Sequence, residues 1–491
     1  MTDTAEKKGK TPKVRLGANY WRLWSSSVAS NLGDGVAMIA YPWLASAITR
    51  NAILIALIAV VQRLPWLLFT LPAGVITDRV DRRKLMLSMN VFRTVVTTVV
   101  AIVVFTQSST LPTPNEVTGG IDVATNWLIY MTLIVAALLF GMAEVLYDNA
   151  AQTILPAIVE PEGLERANGN LWGAEMVMNS FIGPPLGSVL IGVAFALPFF
   201  FDAGTFAISA ALLLLVAGTF RVDRDEKELE AKVDWWGEIK EGVVWLWRHP
   251  LLRPMAIILG FLNALIAVTV ATFVLFAQEI LGVTAFVFAI LGAAGAIGGV
   301  LGSVLSPRVS KAIGSGASLY TTFVAMVITS AIIGLTSNWI VAFVAFAISS
   351  FFGVLWNVIT VSLRQTIIPD YLLGRVNSVY RFFAWGMMPI GLAIGGVLVF
   401  GVEFVGGSRE LALRMPWLVT AVAYVLLFVY AAPKLTTAKI EAARAEGVAA
   451  KESAAAESAD ETGEFDVAYE AIAEAGIRGA VPPEIDGKDG A

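Results

Sequence analysis

The 491-residue chain contains no cysteine and one histidine, His249. Disulfides, thiolate metal centres and Cys- or His-based nucleophilic chemistry are thereby excluded. Charge is also scarce. Asp, Glu, Lys and Arg make up 15% of the residues, where a soluble chain carries about a quarter. No Gly-x-x-x-x-Gly-Lys-Ser/Thr loop is present, so ATP hydrolysis by that route is not expected. With no nucleophile–base pair and no cluster of metal ligands, neither an enzyme, a cofactor nor a metal site is expected, and no nucleic-acid partner. The polar, basic start lacks the apolar core of a cleavable signal. The alternating ten-residue segments of a β-barrel are absent.

What the chain does have is apolar length: 57% of it is hydrophobic. Runs of roughly twenty apolar residues recur, each able to cross ~30 Å of hydrocarbon. About twelve spans are expected, at 20–48, 52–76, 85–106, 127–150, 167–192, 197–219, 252–281, 284–306, 318–335, 339–363, 376–402 and 415–430. The expected fold class is an all-α integral membrane protein of about twelve transmembrane helices in two six-helix, pseudo-symmetric halves. The first half covers 20–219 and the second 252–432, after a polar start at 1–19. Between them, 220–251 is a linker whose Trp236, Ile239, Val243 and Leu246 share one helical face, as in an interfacial helix. The acidic tail, 433–491, is expected to be mostly disordered or transiently helical.

Basic residues set the orientation. Lys7, Lys8, Lys10, Lys13 and Arg15 precede the first span, and Arg79, Arg82, Arg83 and Lys84 separate the second from the third. Both termini are therefore expected in the cytoplasm of a multi-pass inner or plasma membrane protein.

The halves echo each other. Gln152-Thr-Ile-Leu-Pro156 leaves span 4 and Gln365-Thr-Ile-Ile-Pro369 leaves span 10; Arg166-Ala-Asn168 and Arg375-Val-Asn377 open spans 5 and 11. Repeated halves of this kind put a binding cavity on the axis between them, near the bilayer midplane.

Ionisable groups inside spans are costly and are functional candidates by default. Asp34 and Arg63 fall at similar depth on spans 1 and 2, which predicts a pair. Arg93, Glu144 and Glu175 lie deeper, with Asp148 near the end of span 4 and Asp202 near the far end of span 6. All belong to the first half; the second has Asn263 and Asn357 at the places matching Asp34 and Glu144. A proton-coupled carrier needs a carboxyl whose pKa crosses ambient pH as exposure changes. Asp34, Arg63 and Glu144 are the coupling candidates. The competing reading is a static buried pair that fixes helix packing.

The stretch Gly74-Val-Ile-Thr-Asp78-Arg79-Val-Asp81-Arg82-Arg83-Lys84 resembles the signature loop of the major facilitator superfamily, with Asp81 where that family usually carries Gly. The resemblance implies alternating access, a cavity lined by spans 1, 4, 7 and 10, and a latch on the cytoplasmic side from Gly74, Asp78, Arg79, Arg82 and Asp148. Asn179-Ser-Phe-Ile-Gly183-Pro184-Pro185-Leu-Gly187 resembles the antiporter motif of drug exporters, with Asn179 in place of a Gly. Gly183, Pro184 and Gly187 would kink the helix. Ala29-Ser-Asn-Leu-Gly33-Asp34-Gly and the stretch from Glu241 to Arg253 are similar to the macrolide-efflux and enterobactin-exporter branch of drug:proton antiporters. Expected cavity residues are Met38, Tyr41, Trp43, Asn263, Phe273, Trp356 and Asn357. The expected function is proton-coupled export of amphipathic drug-like or siderophore-like molecules by a monomer. Its partners are that small substrate, a proton or another ion, and membrane lipid. A metabolite carrier and a non-transporting protein, such as a lipid scramblase or assembly partner, remain alternatives.

Overall fold

The computed structural model describes residues 16–451 and 453, apart from 115, 119–122 and 222–234. The membrane helices of the first half are α1 (Gly17–Ile48), α2 (Ala52–Arg79), α3 (Arg82–Thr106), α4 (Trp127–Ile154), α5 (Leu164–Met176) continued by α6 (Gly183–Val193), and α7 (Leu197–Leu214). A linker helix, α8 (Trp235–Arg248), follows. The second half has α9 (Leu252–Val270) continued by α10 (Phe273–Glu279), α11 (Ala285–Ile313), α12 (Ser315–Leu335), α13 (Trp339–Ile367), α14 (Asp370–Phe404) and α15 (Arg409–Ala431). A last helix, α16, covers 437–451. Among the described residues, 11 helices are long and apolar enough to cross a membrane. The remaining crossing element is α1, which carries a more polar first half.

The interruptions have local causes. Pro184 and Pro185 offer no N–H, so the preceding turn, Val177–Ile182, widens into a π-helix between α5 and α6. At the ends of α2, α4, α13 and α15, the side chains of Asn51, Asn126, Asn338 and Ser408 accept the first free N–H groups. All four caps lie on the face away from the linker, called here the distal face.

The packing is repeated. Helix α2 packs on α4 as α11 packs on α13, and α1 meets α7 as α9 meets α15. The two halves join along α2–α14 and α6–α11. On the distal side this seam is tight: a Cβ at Gly396 of α14 would lie 2.6 Å from the Ala56 methyl of α2. Toward the linker face, α5 makes no comparable contact with α11. Gly169 and Gly173 of α5 border open space, and Trp172 between them is exposed. The bundle is therefore closed at the distal face and open between α5 and α11 at the linker face.

The linker helix and the start of the tail both dock on the bundle. The linker helix docks on the start of α14: Arg375 and Glu241 pair at 2.6 Å and Gly242 packs on the Arg375 backbone. Leu246 is buried but Val243 is exposed, and the side chains of Trp236 and Ile239 lie outside the described residues. The tail, expected from 433 to be mostly disordered or transiently helical, is a packed helix through 437–451. Ile440 is fully buried, and Gly447 lets α16 rest on the Thr366 and Ile367 backbone. Ser315 donates to Glu441 at 3.1 Å and Lys451 to the Gln365 carbonyl at 3.0 Å. Ile440, Ala443 and Gly447 share one helical face, which is what docks. The tail beyond 453 lies outside the described residues.

Candidate functional site

Asp34 sits in the middle of α1, and the α1–α6 crossing sets its position. A Cβ at Gly35 would come within 2.6 Å of the Met178 carbonyl, and one at Gly183 within 2.6 Å of the Gly35 Cα. Gly187 lies equally close to the Val36 carbonyl, 2.7 Å from where its Cβ would be. The Gly183-Pro184-Pro185-Leu-Gly187 stretch thus fixes the α1 backbone on both sides of Asp34 by close approach as well as by a kink. Asn179 of the π turn donates to Asn31 of α1 at 3.1 Å, one turn before Asp34.

Arg93 of α3 is the cation of this region, at 2% exposure. Its guanidinium lies over three rings: Tyr147 at 4.8 Å, Phe140 at 5.4 Å and Phe206 at 5.4 Å. Such desolvated cation–π contacts stabilise by about 2 kcal/mol. Its Nε and Nη2 have no hydrogen-bond partner, so its charge is left to act on the acids around it. Asp34, Asp148 and Asp202 all lie within its electrostatic reach, with Glu144 and Glu175 beside Asp34 and Asp148. The first half therefore encloses one cation among five acids from four of its membrane spans. Asp34, Glu144 and Asp148 are half-buried, and Glu175 of α5 is exposed.

The predicted Asp34–Arg63 pair does not form. Arg63 turns to the other half, with its guanidinium 6.0 Å from the Trp385 ring of α14, and Trp66 stacks on the same ring at 5.8 Å. Equal depth sets the height of two residues but not the face of the helix, and this face of α2 belongs to the seam.

In the signature loop, Arg82 donates to the Thr153 carbonyl at the end of α4, at 2.7 Å. Arg83 donates to the Leu213 and Leu214 carbonyls at the end of α7, at 3.0 and 2.9 Å. Arg79 is exposed, and the side chains of Gly74 and Asp78 lie outside the described residues. Asp148 lies in the field of Glu144 and Arg93. Asp81, the departure from the family pattern, caps α3 by accepting from Lys84 N at 2.9 Å and ties down Phe220 N at 2.7 Å.

The expected cavity residues divide. Met38 and Asn357 are exposed and Asn263 is half-buried. Trp43 is completely buried against Phe288, and Trp356 is buried against Phe323 in the core of the second half. Tyr41 packs edge-on to Phe199, and Phe273 joins Phe288, Phe346 and Trp417. Trp43 and Trp356 are thus part of the packed core, where large rings gain most from full burial, while Tyr41 and Phe273 are partly buried at its edge.

A cluster at the distal seam was not expected from the sequence. Arg50, between α1 and α2, reaches Glu279 at the end of α10 at 3.5 Å and donates to Gln278 at 2.6 Å. Arg409 holds the same Glu279 at 2.9 Å and Glu403 at 2.5 Å, and also donates to the Arg50 carbonyl at 3.2 Å. Gln278 in turn donates to Ser46 at 2.8 Å. Burial lowers the proton affinity of Arg50 and Glu279 opposes that shift, so the guanidinium stays charged. The available signal was a set of opposite charges at span ends: Arg50 in one half, Glu279, Glu403 and Arg409 in the other.

The family model described as Major Facilitator Superfamily matches residues 23–392. The multidrug efflux pump Tap of Mycolicibacterium fortuitum is 24% identical over 412 residues, covering 82% of this chain and 94% of that one. The enterobactin exporter EntS of Citrobacter koseri is 25% identical over 291 residues, covering 58% of this chain and 66% of the relative. Among solved structures, an inward-facing bacterial homologue of the iron transporter ferroportin superposes with TM-score 0.61 at 15% identity, over 84% of this chain and 98% of that one. A bacterial homologue of the lysosomal transporter Spinster superposes with TM-score 0.63 at 13% identity, over 89% and 99%. Family and structural neighbours are transporters, not enzymes, and the repeated halves, the seam and the matched length agree with them. The chain belongs to the major facilitator superfamily of membrane transporters.

Proposed function

We propose that the protein is a proton-coupled exporter of small amphipathic molecules, drug-like or siderophore-like, working as a monomer in the cell membrane. The linker face is taken as cytoplasmic, since Arg79, Arg82, Arg83 and Lys84 lie on it. On that orientation the opening between α5 and α11 faces the cytoplasm, the side from which an exporter takes its cargo. The observation that carries the reading is Asp34: a half-buried carboxyl in the middle of a membrane helix, held at the α1–α6 crossing and in the field of the buried Arg93. A proton on Asp34 removes a negative charge from the field of Arg93 and its loss restores that charge, so charge balance links protonation to the packing of α1. Glu144 is the second coupling candidate. In the outward-facing state, Asp78, Arg82 and Asp148 form the cytoplasmic latch while the Arg50–Glu279–Arg409 cluster opens. Two relatives are named for multidrug efflux and enterobactin export, and the apolar seam with few fixed charges in the second half suits such cargo.

The test uses everted vesicles with an acidified interior and a pH-sensitive dye. A panel of macrolides, dyes and siderophores is added to vesicles carrying wild type or Asp34→Asn. Cargo-dependent proton release that is lost in the mutant is expected. Unchanged release in Asp34→Asn removes Asp34 from coupling, and no release with any compound removes proton-coupled export.

A further inference from the structure

Asp202 of α7 is a carboxyl that neither the coupling site nor the seam uses. It is fully buried, and both carboxylate oxygens lack a hydrogen-bond partner. The nearby Thr205 hydroxyl donates to the Asp202 backbone carbonyl at 2.7 Å and leaves the carboxyl unsatisfied. Helix α1 makes room for it with Gly33: a Cβ there would run into Asp202 Oδ1 and the Thr205 hydroxyl. The next residue along α1 is Asp34, so one turn of α1 carries both the glycine that admits Asp202 and the coupling carboxyl.

The groups facing Asp202 are few. From α1 they are Asp34 and Tyr41, whose hydroxyl also lacks a partner; from α3 there is Arg93. Glu144, Tyr147 and Asp148 of α4 lie beyond Arg93 in the same field, and α6 supplies no titratable side chain. One cation compensates one carboxylate. With Asp34 ionised against Arg93, a second ionised carboxylate at Asp202 would have neither water nor a donor. A carboxyl serving only to fasten helices would hold a hydrogen bond, and this one holds none.

We propose that Asp202 is a second proton-binding site of the first half, packed against Gly33 of α1 and linked to Asp34 through Arg93. On uptake, one O–H bond forms between a proton from water and a carboxylate oxygen of Asp202; on release the same bond breaks. In the state open to the linker face, Asp202 holds its proton while Arg93 compensates Asp34. The link to transport rests on the coupling reading of Asp34, but proton binding at Asp202 does not.

The experiment is infrared spectroscopy of the full chain in phosphatidylethanolamine–phosphatidylglycerol vesicles near neutral pH, where exposed carboxyls are ionised. A neutral carboxylic-acid C=O band is expected in wild type and in Asp34→Asn, and is lost in Asp202→Asn, whose amide has the shape of the neutral acid. If Asp202→Asn does not insert, Asp202→Glu serves, with a shift of the band in place of its loss. A band unchanged by either substitution, or no band in wild type, overturns the proposal. Cargo-driven proton release is measured in parallel. Its absence in wild type, with the Asp202 band present, defeats the exporter reading and leaves this site standing. Release in wild type without an Asp202 band defeats this site alone.

Discussion

Arg50 and Glu279 meet at 3.5 Å across the seam between the halves, and Arg409 closes on the same carboxylate at 2.9 Å. One anion thus holds two cations, one from each half, at the face where the bundle is shut. In the proposed alternating access, opening the distal face separates Arg50 from Glu279, while Arg409 stays in the same half as Glu279. These groups are only partly exposed, so solvent screens the contacts less than it screens a surface pair.

Glu279→Gln should therefore shift the equilibrium toward the state open at the distal face. Loss of the shared charge removes about 1–2 kcal/mol of preference, roughly a tenfold change. Because the chain has no cysteine, spin labels can be placed in pairs across the seam without removing native residues. Distances across the distal seam that lengthen in Glu279→Gln support the closure role. An unchanged distribution would show that the cluster only fastens loops.

Asp81 makes a sharper structural prediction. It accepts from two backbone N–H groups, those of Lys84 and Phe220, and it is 9% exposed. Asp81→Ala leaves both without that acceptor and should cost about 1–3 kcal/mol in stability. Asp81→Asn keeps an acceptor oxygen and should cost less. Thermal unfolding in detergent gives the comparison, and equal values for the two variants would exclude the capping role.

How much of this was legible follows from what a sequence encodes. Spans, order and repeat were readable because each depends on residues close in the chain: the Gln152–Pro156 and Gln365–Pro369 stretches do end α4 and α13. The surroundings of Asp34 were not, since hydropathy gives depth while helix rotation decides that Arg63 turns to the seam and Arg93 acts on Asp34 through its field. Trp43 and Trp356 looked like cavity residues because an aromatic in a lining helix has the same signature facing inward or sideways. The Arg50–Glu279 contact joins residues 228 or more positions apart in different halves, and no local pattern announces it. The helix at 437–451 was hidden by its acidic, Ala-rich composition, although Ile440, Ala443 and Gly447 carry the docking stripe.

His249 gives a pH-dependent prediction outside the spans. Its Nδ1 accepts from Leu251 N and Leu252 N at 3.2 and 3.1 Å, which requires an unprotonated Nδ1. Burial lowers its pKa from the ordinary value, and Glu446 opposes that shift. A histidine with a lowered folded pKa contributes stability that is present above its unfolded pKa, near ~6.5, and is lost as pH falls through the folded value. Hydrogen exchange at the α8–α9 junction should accelerate as pH drops below about 6.5, after correction for intrinsic rates. His249→Asn, which keeps a local acceptor, should flatten that dependence. A junction equally protected on both sides of this window would dismiss the linkage.

The α1–α6 crossing gives a test with an internal control. Gly183 meets the Gly35 backbone where a Cβ would stand 2.6 Å away, whereas Gly192, farther along the same helix, has open space around it. Alanine favours a helix over glycine by about 0.5–1 kcal/mol wherever there is room. Gly192→Ala should therefore be neutral or slightly stabilising. Gly183→Ala must push α1 and α6 apart and should cost about 1–3 kcal/mol. The displaced α1 backbone carries Asp34 with it, so transport should fall further than stability does. Unfolding and flux measured on both variants decide the matter: a Gly183→Ala protein that matches Gly192→Ala in both would mean that the close crossing does not position Asp34.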